Sequence, residues 1–195
     1  MTNLAIIGRR GSGKTTISQY LVDHHGYTRH SWAAPVKEIA SWAYGPIDKA
    51  GRYIVETVDG PVGVSGRWLL QRIGTDALRN AVDQAFWIKV GLRKIDEDRE
   101  PTVLPSGDTI SAPVHRWVND DTRFPNEVVA LRSRGFIVFK LEVPAAVRAA
   151  RLGAEYDPEA DSHPSETEIE RINPHYTVDG TQPVEKVVED ILGSL

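Results

Sequence analysis

The chain has 195 residues, 41% of them hydrophobic and 26% charged, a balance that suits one globular domain with a substantial core. Its formal net charge of -4 argues against a general nucleic-acid surface, because phosphate backbones demand a basic face, although local basic clusters can still bind small phosphates. Without cysteine there are no disulfides or thiolate zinc sites, which suits the cytosol, and no stretch reaches transmembrane length. The apolar part of MTNLAIIGRR is too short for a signal peptide.

Leu4 to Ile7 predicts a strand, and it leads directly into GRRGSGKTT, residues 8 to 16, and then into a helical pattern marked by Ile17, Tyr20 and Leu21. That is G-x-x-x-x-G-K-[ST] between a strand and a helix, the setting this motif requires. Gly8, Gly11 and Gly13 let the backbone turn tightly and aim its N–H groups inward, while the new helix adds unpaired amides and a positive dipole end. The concavity suits a polyphosphate, with Arg10 and Ser12 contributing loop amides. Lys14 is expected to reach the β- and γ-phosphates, the Thr15 hydroxyl to hold Mg²⁺, and Thr16 to be a secondary contact.

Tyr27 to Trp32 reads as a second strand, and Pro35 opens a helix with Val36, Ile39, Ala40 and Ala43 inward and Lys37 in its first turn. His24, His25 and His30 are expected to be solvated rather than metal-bound, since 24 and 25 point different ways on a helix and no carboxylate has ligand spacing to them. Residues 44–66, rich in Gly and Pro, predict a long mobile connection or a short hairpin. From Ser65 to Glu100 the pattern is helical, with one helix expected to end and another to start near Ile73 to Thr75, at Gly74 and a capping Thr75. Arg67, Gln71, Arg72 and Arg79 supply multiply hydrogen-bonding groups beside that break, or form a solvated helix face; the residues alone leave both open.

Residues 102–113 predict a small hairpin, and Val114 to Asn119 a strand ending in Asp120, Asp121, Thr122 and Arg123. A carboxylate at the carboxyl end of a parallel strand beside a phosphate loop is placed to organise Mg²⁺ or the acceptor, and Asp121 is preferred to Asp120. Arg123 is placed to meet phosphate as a bidentate fork; an acidic turn capping the helix at Pro125 is the plainer reading. That helix stops at Gly135, before the apolar strand Phe136 to Val143. Pro144 opens a helix bearing Arg148 and Arg151 at i, i+3, followed by an acidic stretch that resumes helix at a capping box from Ser165 to Glu168. A polar excursion flanked by arginines resembles the lid of small phosphotransferases. His175 to Val178, a DGT turn and a helix with Val184, Val187, Val188 and Ile191 inward complete the chain. The alternation implies an α/β, three-layer P-loop NTPase fold, a parallel sheet with helices on both faces and ligands at the carboxyl ends of its strands.

The order GRRGSGKTT, SWAAPVKE, RWLLQRIGTDALR with FW after it, DDTRFPNE and SHPSE resembles the bacteriophage-type deoxynucleoside monophosphate kinases, within the nucleoside monophosphate kinase group, over nearly the whole chain. The loop motif is shared by many families, and the middle set is more selective. The resemblance implies one kinase domain, 1–195, with an acceptor-binding insertion at about 35–100 and a lid at about 148–172. It implies transfer of the ATP γ-phosphate to a deoxynucleoside 5'-monophosphate, with ATP and Mg²⁺ as cofactors, small-molecule partners, and no stable nucleic-acid or membrane binding. A homodimer is left open, and the place would be the cytoplasm, a host's if the gene is a phage's. Lys37, Arg67, Gln71, Thr75 and Arg79 resemble acceptor-side positions, Asp121 and Arg123 the family's D-x-R, and Arg148 and Arg151 its lid arginines. The turn Asp179 to Gln182, including Gly180, resembles the loop near the donor adenine, and Trp87, with Trp32, Trp42 and Trp68, is a candidate to stack on the acceptor base. Ala34 stands where an acidic residue is expected and Gly180 where an asparagine is more usual. Rival readings are a dephospho-coenzyme A or sugar-acid kinase, a P-loop ATPase or switch, and a nucleic-acid end kinase.

Overall fold

The computed structural model describes residues 2–97, 102–103, 105–106, 109–110, 115–157 and 164–195. In chain order the elements are β1 (Asn3–Ile7), α1 (Lys14–His25), β2 (Tyr27–His30), α2 (Ala34–Tyr44), β3 (Arg52–Thr57), β4 (Gly60–Ser65) and α3 (Gly66–Gln71), which continues as a π-helix (Arg72–Asn80). There follow α4 (Phe86–Glu97), β5 (Thr102–Val103), β6 (Thr109–Ile110), β7 (Arg116–Asn119), α5 (Pro125–Arg132), β8 (Phe136–Glu142), α6 (Ala145–Leu152), the short α7 (Pro164–Thr167), β9 (Tyr176–Asp179) and α8 (Val184–Gly193). They form two compact units, Met1–Ser31 with Asp96–Leu195, and Trp32–Ile95.

The first unit is built on a five-stranded sheet in the order β2-β7-β1-β8-β9, parallel at every pairing. Its central strand β1 is buried along its whole length, which is why NLAII reads as an unbroken run rather than an alternating one. Leu4, Ile6, Phe139 and Leu141 point to one face, where Ile17 and Leu21 of α1 and Val187, Val188 and Ile191 of α8 complete one apolar cluster. The alternate residues Phe136 and Val138 are buried on the opposite face, the side on which α5 packs against β8 with Val128 and Leu131 inward. Burial of each such side chain is worth about 1.5–3 kcal/mol, so this double-sided packing, not the exposed ion pairs, fixes the strand order. Because all five strands run the same way, Ile7, His30, Asn119, Glu142 and Asp179 bring their following loops to one edge of the sheet.

The second unit holds α2, the antiparallel hairpin β3–β4, α3 with its π-helical continuation, and most of α4. The Gly/Pro-rich stretch does form a hairpin. The expected helix break at Ile73 to Thr75 does not occur: the helix runs through it to Asn80, and the chain turns only at Ala81–Ala85. Gly74 serves close packing instead of termination. A Cβ there would lie 3.1 and 3.3 Å from the two methyls of Val36, and its carbonyl accepts the Trp87 indole N–H at 2.6 Å. A carbonyl has two lone pairs, so this one can take the indole N–H from inside a helix. Thr75 therefore caps nothing.

Candidate active site

The loop between β1 and α1 closes on its own lysine. Gly8, Gly11 and Gly13 all take positive φ, Ser12 N–H donates to the Arg9 carbonyl at 3.1 Å, and no side chain among the described residues caps α1. The first amides of α1 are thus left for an anion. Lys14 is buried, and its Nζ donates to the carbonyls of Gly8 at 2.5 Å and Arg9 at 2.8 Å and to Ser12 Oγ at 3.4 Å. Burial, reinforced by the neighbouring charges of Arg123 and Arg148 and only partly offset by Asp120, lowers its pKa to about 7. Thr15 and Thr16 are exposed at the mouth of the loop.

The turn after β7 is organised by Asn119, which is fully buried. Its Oδ1 accepts the backbone N–H of Asp121 at 3.2 Å and of Thr122 at 3.1 Å, and the Thr122 hydroxyl at 2.6 Å. Its Nδ2 lies 2.9 Å from His30 Nδ1 and donates to Asp121 Oδ1 at 3.1 Å. A polar residue closing an apolar strand is the one local sign of this in the chain. Asp120 is buried in a bidentate pair with Arg29, at 3.0 and 2.8 Å, whereas Asp121 accepts from Ser31 Oγ at 2.6 Å and is half-buried. The two acidic neighbours thus divide into an anchor and an accessible carboxylate, which favours Asp121 for ligand chemistry. Arg123 follows; its guanidinium pairs with Glu166, while its backbone N–H is held by Glu127 at 2.8 Å. Burial lowers the Arg123 pKa, against the raising influence of Asp121 and Glu127. His30, expected to be solvated, is buried among these groups because its ring nitrogen is taken by Asn119.

From α6, Arg148 is buried and donates to the Arg10 carbonyl at 3.2 Å. Arg151 reaches the carbonyls of Ser12 at 3.3 Å and Gly180 at 2.9 Å. It walls a cavity of about 250 Å³ lined also by Gly13, Thr16, Gly180, Gln182 and Val184. The turn after β9 is fixed by Asp179, whose carboxylate takes the N–H and hydroxyl of Thr181 and the Gln182 amide, holding its pKa down to about 2. Gly180 is required by close approach: a Cβ would stand 2.7 Å from a Val143 methyl and 3.3 Å from the Ser12 carbonyl. A larger cavity of about 910 Å³ opens at the ends of β8 and β9 among Arg9, Lys140, Glu142, Arg148, Glu170 and Asp179. Among the described residues no group of three or more His, Asp or Glu side chains could hold a metal by itself. A Mg²⁺ ion, which keeps several waters and leans on substrate phosphates, needs no such cage.

A curated protein of Acanthamoeba polyphaga mimivirus named "Putative deoxynucleotide monophosphate kinase" is 30% identical to this chain over 176 residues, 88% of this chain and 84% of that one. The chain belongs to the deoxynucleotide monophosphate kinase family. It is, with that family, an ATP-dependent phosphotransferase. No family model matches it. Its fold is that of P-loop kinases: shikimate kinase from Aquifex aeolicus vf5 superposes with a TM-score of 0.58 at 15% identity, over 99% of this chain and 95% of that one. Shikimate kinase from Acinetobacter baumannii in complex with shikimate gives 0.53 at 16% identity, over 100% and 94%. At such identities the likeness speaks for architecture and not for the acceptor.

Of the residues singled out in the kinase sequence, the loop, Asp121, Arg123, Arg148, Arg151 and Gly180 all belong to the first unit, at or beside the carboxyl edge of its sheet. Lys37, Arg67, Gln71, Thr75, Arg79 and Trp87 belong to the second. There Lys37, Arg67, Gln71 and Thr75 are exposed and Arg79 is half-buried. Trp87 corrects an expectation: its ring is buried and its N–H is committed to Gly74, so it packs within its unit instead of offering a face to a base. Trp32 is likewise buried, while Trp42 and Trp68 are exposed, the latter beneath the Arg72 guanidinium. The lid expected at 148–172 is covered in part, since 158–163 lie outside the described residues. Its helical turn starts at Pro164, so Ser165 is inside the turn and is not its cap; the Ser165 side chain is also outside the described set. Glu166 was missed, although it closes the SHPSE motif.

Proposed function

We propose that the protein transfers the γ-phosphoryl group of ATP to a deoxynucleoside 5'-monophosphate, giving the diphosphate and ADP. The observation that carries this reading is the adjacency of β1 and β7 in a parallel sheet, which brings the Lys14 loop and the Asp121–Arg123 turn to one edge. A loose phosphoryl-transfer transition state asks for positioning and charge neutralisation more than for a strong base. Loop amides from Gly8 to Thr16, with Lys14, hold the donor phosphates, and the cavity beside Gly180 and Arg151 takes the donor base, with the guanidinium against its face. Arg123 grips the acceptor phosphate, and Lys37, Arg67, Gln71, Thr75 and Arg79 are the acceptor-side residues of the second unit. Arg148 and Arg151 are the lid arginines, and Arg148 stabilises charge on the migrating group. Thr15 and Asp121 would hold Mg²⁺, the hydroxyl being exposed and the carboxylate half-buried. When bound, the ion supplies neutralisation of the phosphate oxygens. The reaction has its place in deoxynucleotide supply in the cytoplasm, a host's if the gene is a phage's. ADP release, followed by a coupled assay across deoxynucleoside and ribonucleoside monophosphates, tests the reading. Turnover with at least one deoxynucleotide is expected; turnover confined to a sugar acid or pantetheine acceptor would overturn it.

A further inference from the structure

The first unit carries a carboxylate where its phosphate chemistry calls for an anion from outside. Glu166 in α7 is almost wholly buried, although glutamate is seldom found so unless paired. One carboxylate oxygen accepts the backbone N–H of Arg10, in the phosphate loop, at 2.6 Å, and the other is paired with the Arg123 guanidinium. A loop amide and an arginine fork are the two kinds of donor that a phosphoryl oxygen takes. Immediately beyond, Arg148 donates to the Arg10 carbonyl, so a second cation borders the same spot. One turn further, Glu170 joins Arg9 at 3.0 Å and Lys140 at 2.5 Å. Residues 166–170 are therefore fastened to both loop arginines, by an inner buried contact and an outer exposed one.

We propose that Glu166 is an internal stand-in for a phosphoryl group. Its carboxylate occupies the anion subsite made by the Arg10 amide and Arg123, and a phosphoryl group must displace it in order to bind. The proposal rests on reading this edge of the sheet as a phosphate site. The single Arg10 N–H serves one acceptor at a time, so at that donor occupancy by Glu166 and by phosphate is mutually exclusive, and the affinity for phosphate is reduced by the fraction of molecules in which Glu166 is seated. The device has a purpose in a phosphotransferase. An empty site lined by Lys14, Arg123 and Arg148 repels itself, and a carboxylate that leaves only for a phosphoryl group keeps those cations in place until substrate arrives.

Glu166→Gln tests this. The amide keeps the shape and an oxygen for the Arg10 N–H but gives up the charge that competes with phosphate. Inorganic phosphate, titrated by ³¹P line broadening against wild type and variant, is expected to bind about tenfold more tightly to the variant, the loss of a seated competitor. If Glu166 only steers Arg123, the variant binds phosphate no better or worse, and the proposal falls. A second measurement uses the wild-type chain. Saturating inorganic phosphate should speed hydrogen exchange in residues 164–171 as Glu166 is expelled, and unchanged or slower exchange would overturn the idea even if the variant did not fold. The outcome is separable from the activity assay. A protein that phosphorylates no deoxynucleotide, yet shows tighter phosphate binding on Glu166→Gln, would lose its proposed acceptor and keep its stand-in.

Discussion

Replacing Lys14 by methionine should make the free protein more stable at neutral and acid pH while abolishing phosphoryl transfer. The folded pKa of about 7 lies some 3.5 units below the ordinary value of 10.5, and at about 1.36 kcal/mol per unit that is roughly 5 kcal/mol of cost from burial first and the neighbouring arginines second. The unfolded chain holds this proton up to its ordinary pKa and the folded one only to about 7, so the cost is present in full below pH 7, shrinks through the window between, and is gone above 10.5. Methionine removes the charge and keeps the length, but strands the Gly8 and Arg9 carbonyls, at about 1–3 kcal/mol each where they are shielded from water. A net gain of about 1 kcal/mol at pH 6 follows, the midpoint of a range from about -1 to about 3 kcal/mol. The cleaner quantity is its pH dependence, because every other titrating group is common to both chains. Between pH 6 and pH 9 the wild type should gain about 3 kcal/mol on the variant, since pH 9 lies two units above its folded pKa. Urea unfolding at the two pH values measures this. Parallel stability curves for the two proteins would refute the claim that Lys14 is held in the loop at an electrostatic cost.

Arg123→Ala should weaken acceptor binding by about 2–4 kcal/mol with ATP affinity nearly unchanged, whereas Asp121→Asn should leave both substrates bound and lower the single-turnover rate. Calorimetry and rapid quench separate the two, and equal loss of ATP affinity in both variants would place the turn on the donor side. Asn119→Ala should cost about 3 kcal/mol in chemical denaturation, because it strands the Thr122 hydroxyl and two backbone N–H groups in a buried turn. A loss under 1 kcal/mol would mean that water replaces the amide. Gly180→Ala should weaken ATP binding severalfold and destabilise the fold by about 1–3 kcal/mol, as its methyl meets Val143 and the Ser12 carbonyl. Unchanged ATP affinity would remove the β9 turn from the donor site.

The P-loop and the sheet were legible because each rests on short-range rules. A continuous apolar run means a doubly buried strand, and glycine spacing with Lys14 and Thr15 means a loop that must form locally before a helix. The end of the strand before Asp121 and Arg123 was legible for the same reason, by position. Where the reading failed, tertiary contacts had overridden a local signal. Gly74 looks like a helix stop because glycine usually is one, but here Val36 and Trp87 need the space and the carbonyl. Trp87 looks like a stacking surface until its N–H finds Gly74. Asn119, Glu166 and His30 were illegible as participants, since a buried polar residue has no periodicity and declares itself only through partners distant in sequence: His30 lies 89 positions from Asn119, and Glu166 lies 43 from Arg123 and 156 from Arg10.

The contacts of the site's cations explain how a chain of net charge -4 can present a strongly positive pocket. Lys14 rests on the carbonyls of Gly8 and Arg9, Arg148 on that of Arg10, and Arg151 on those of Ser12 and Gly180. A carbonyl orients a cation without cancelling its charge. Burial lowers the Lys14 pKa and the positive potential of Arg123 and Arg148 adds to it, whereas Arg123 is lowered by burial against the pull of the carboxylates around it. The carboxylates nearby are mostly committed to the frame: Asp120 to Arg29, Glu127 to the backbone at Arg123 and Phe124, and Asp179 to its own turn. A polyphosphate entering this pocket supplies the missing anion and restores the Lys14 ammonium, so binding above pH 7 must draw a proton from solution. Calorimetry of ATP binding at pH 8 in buffers of different ionisation enthalpy should register that uptake, approaching one proton per ATP, in wild type and not in Lys14→Met. Equal uptake in the two proteins would assign the proton to the nucleotide and leave the lowered pKa of Lys14 without a role in binding.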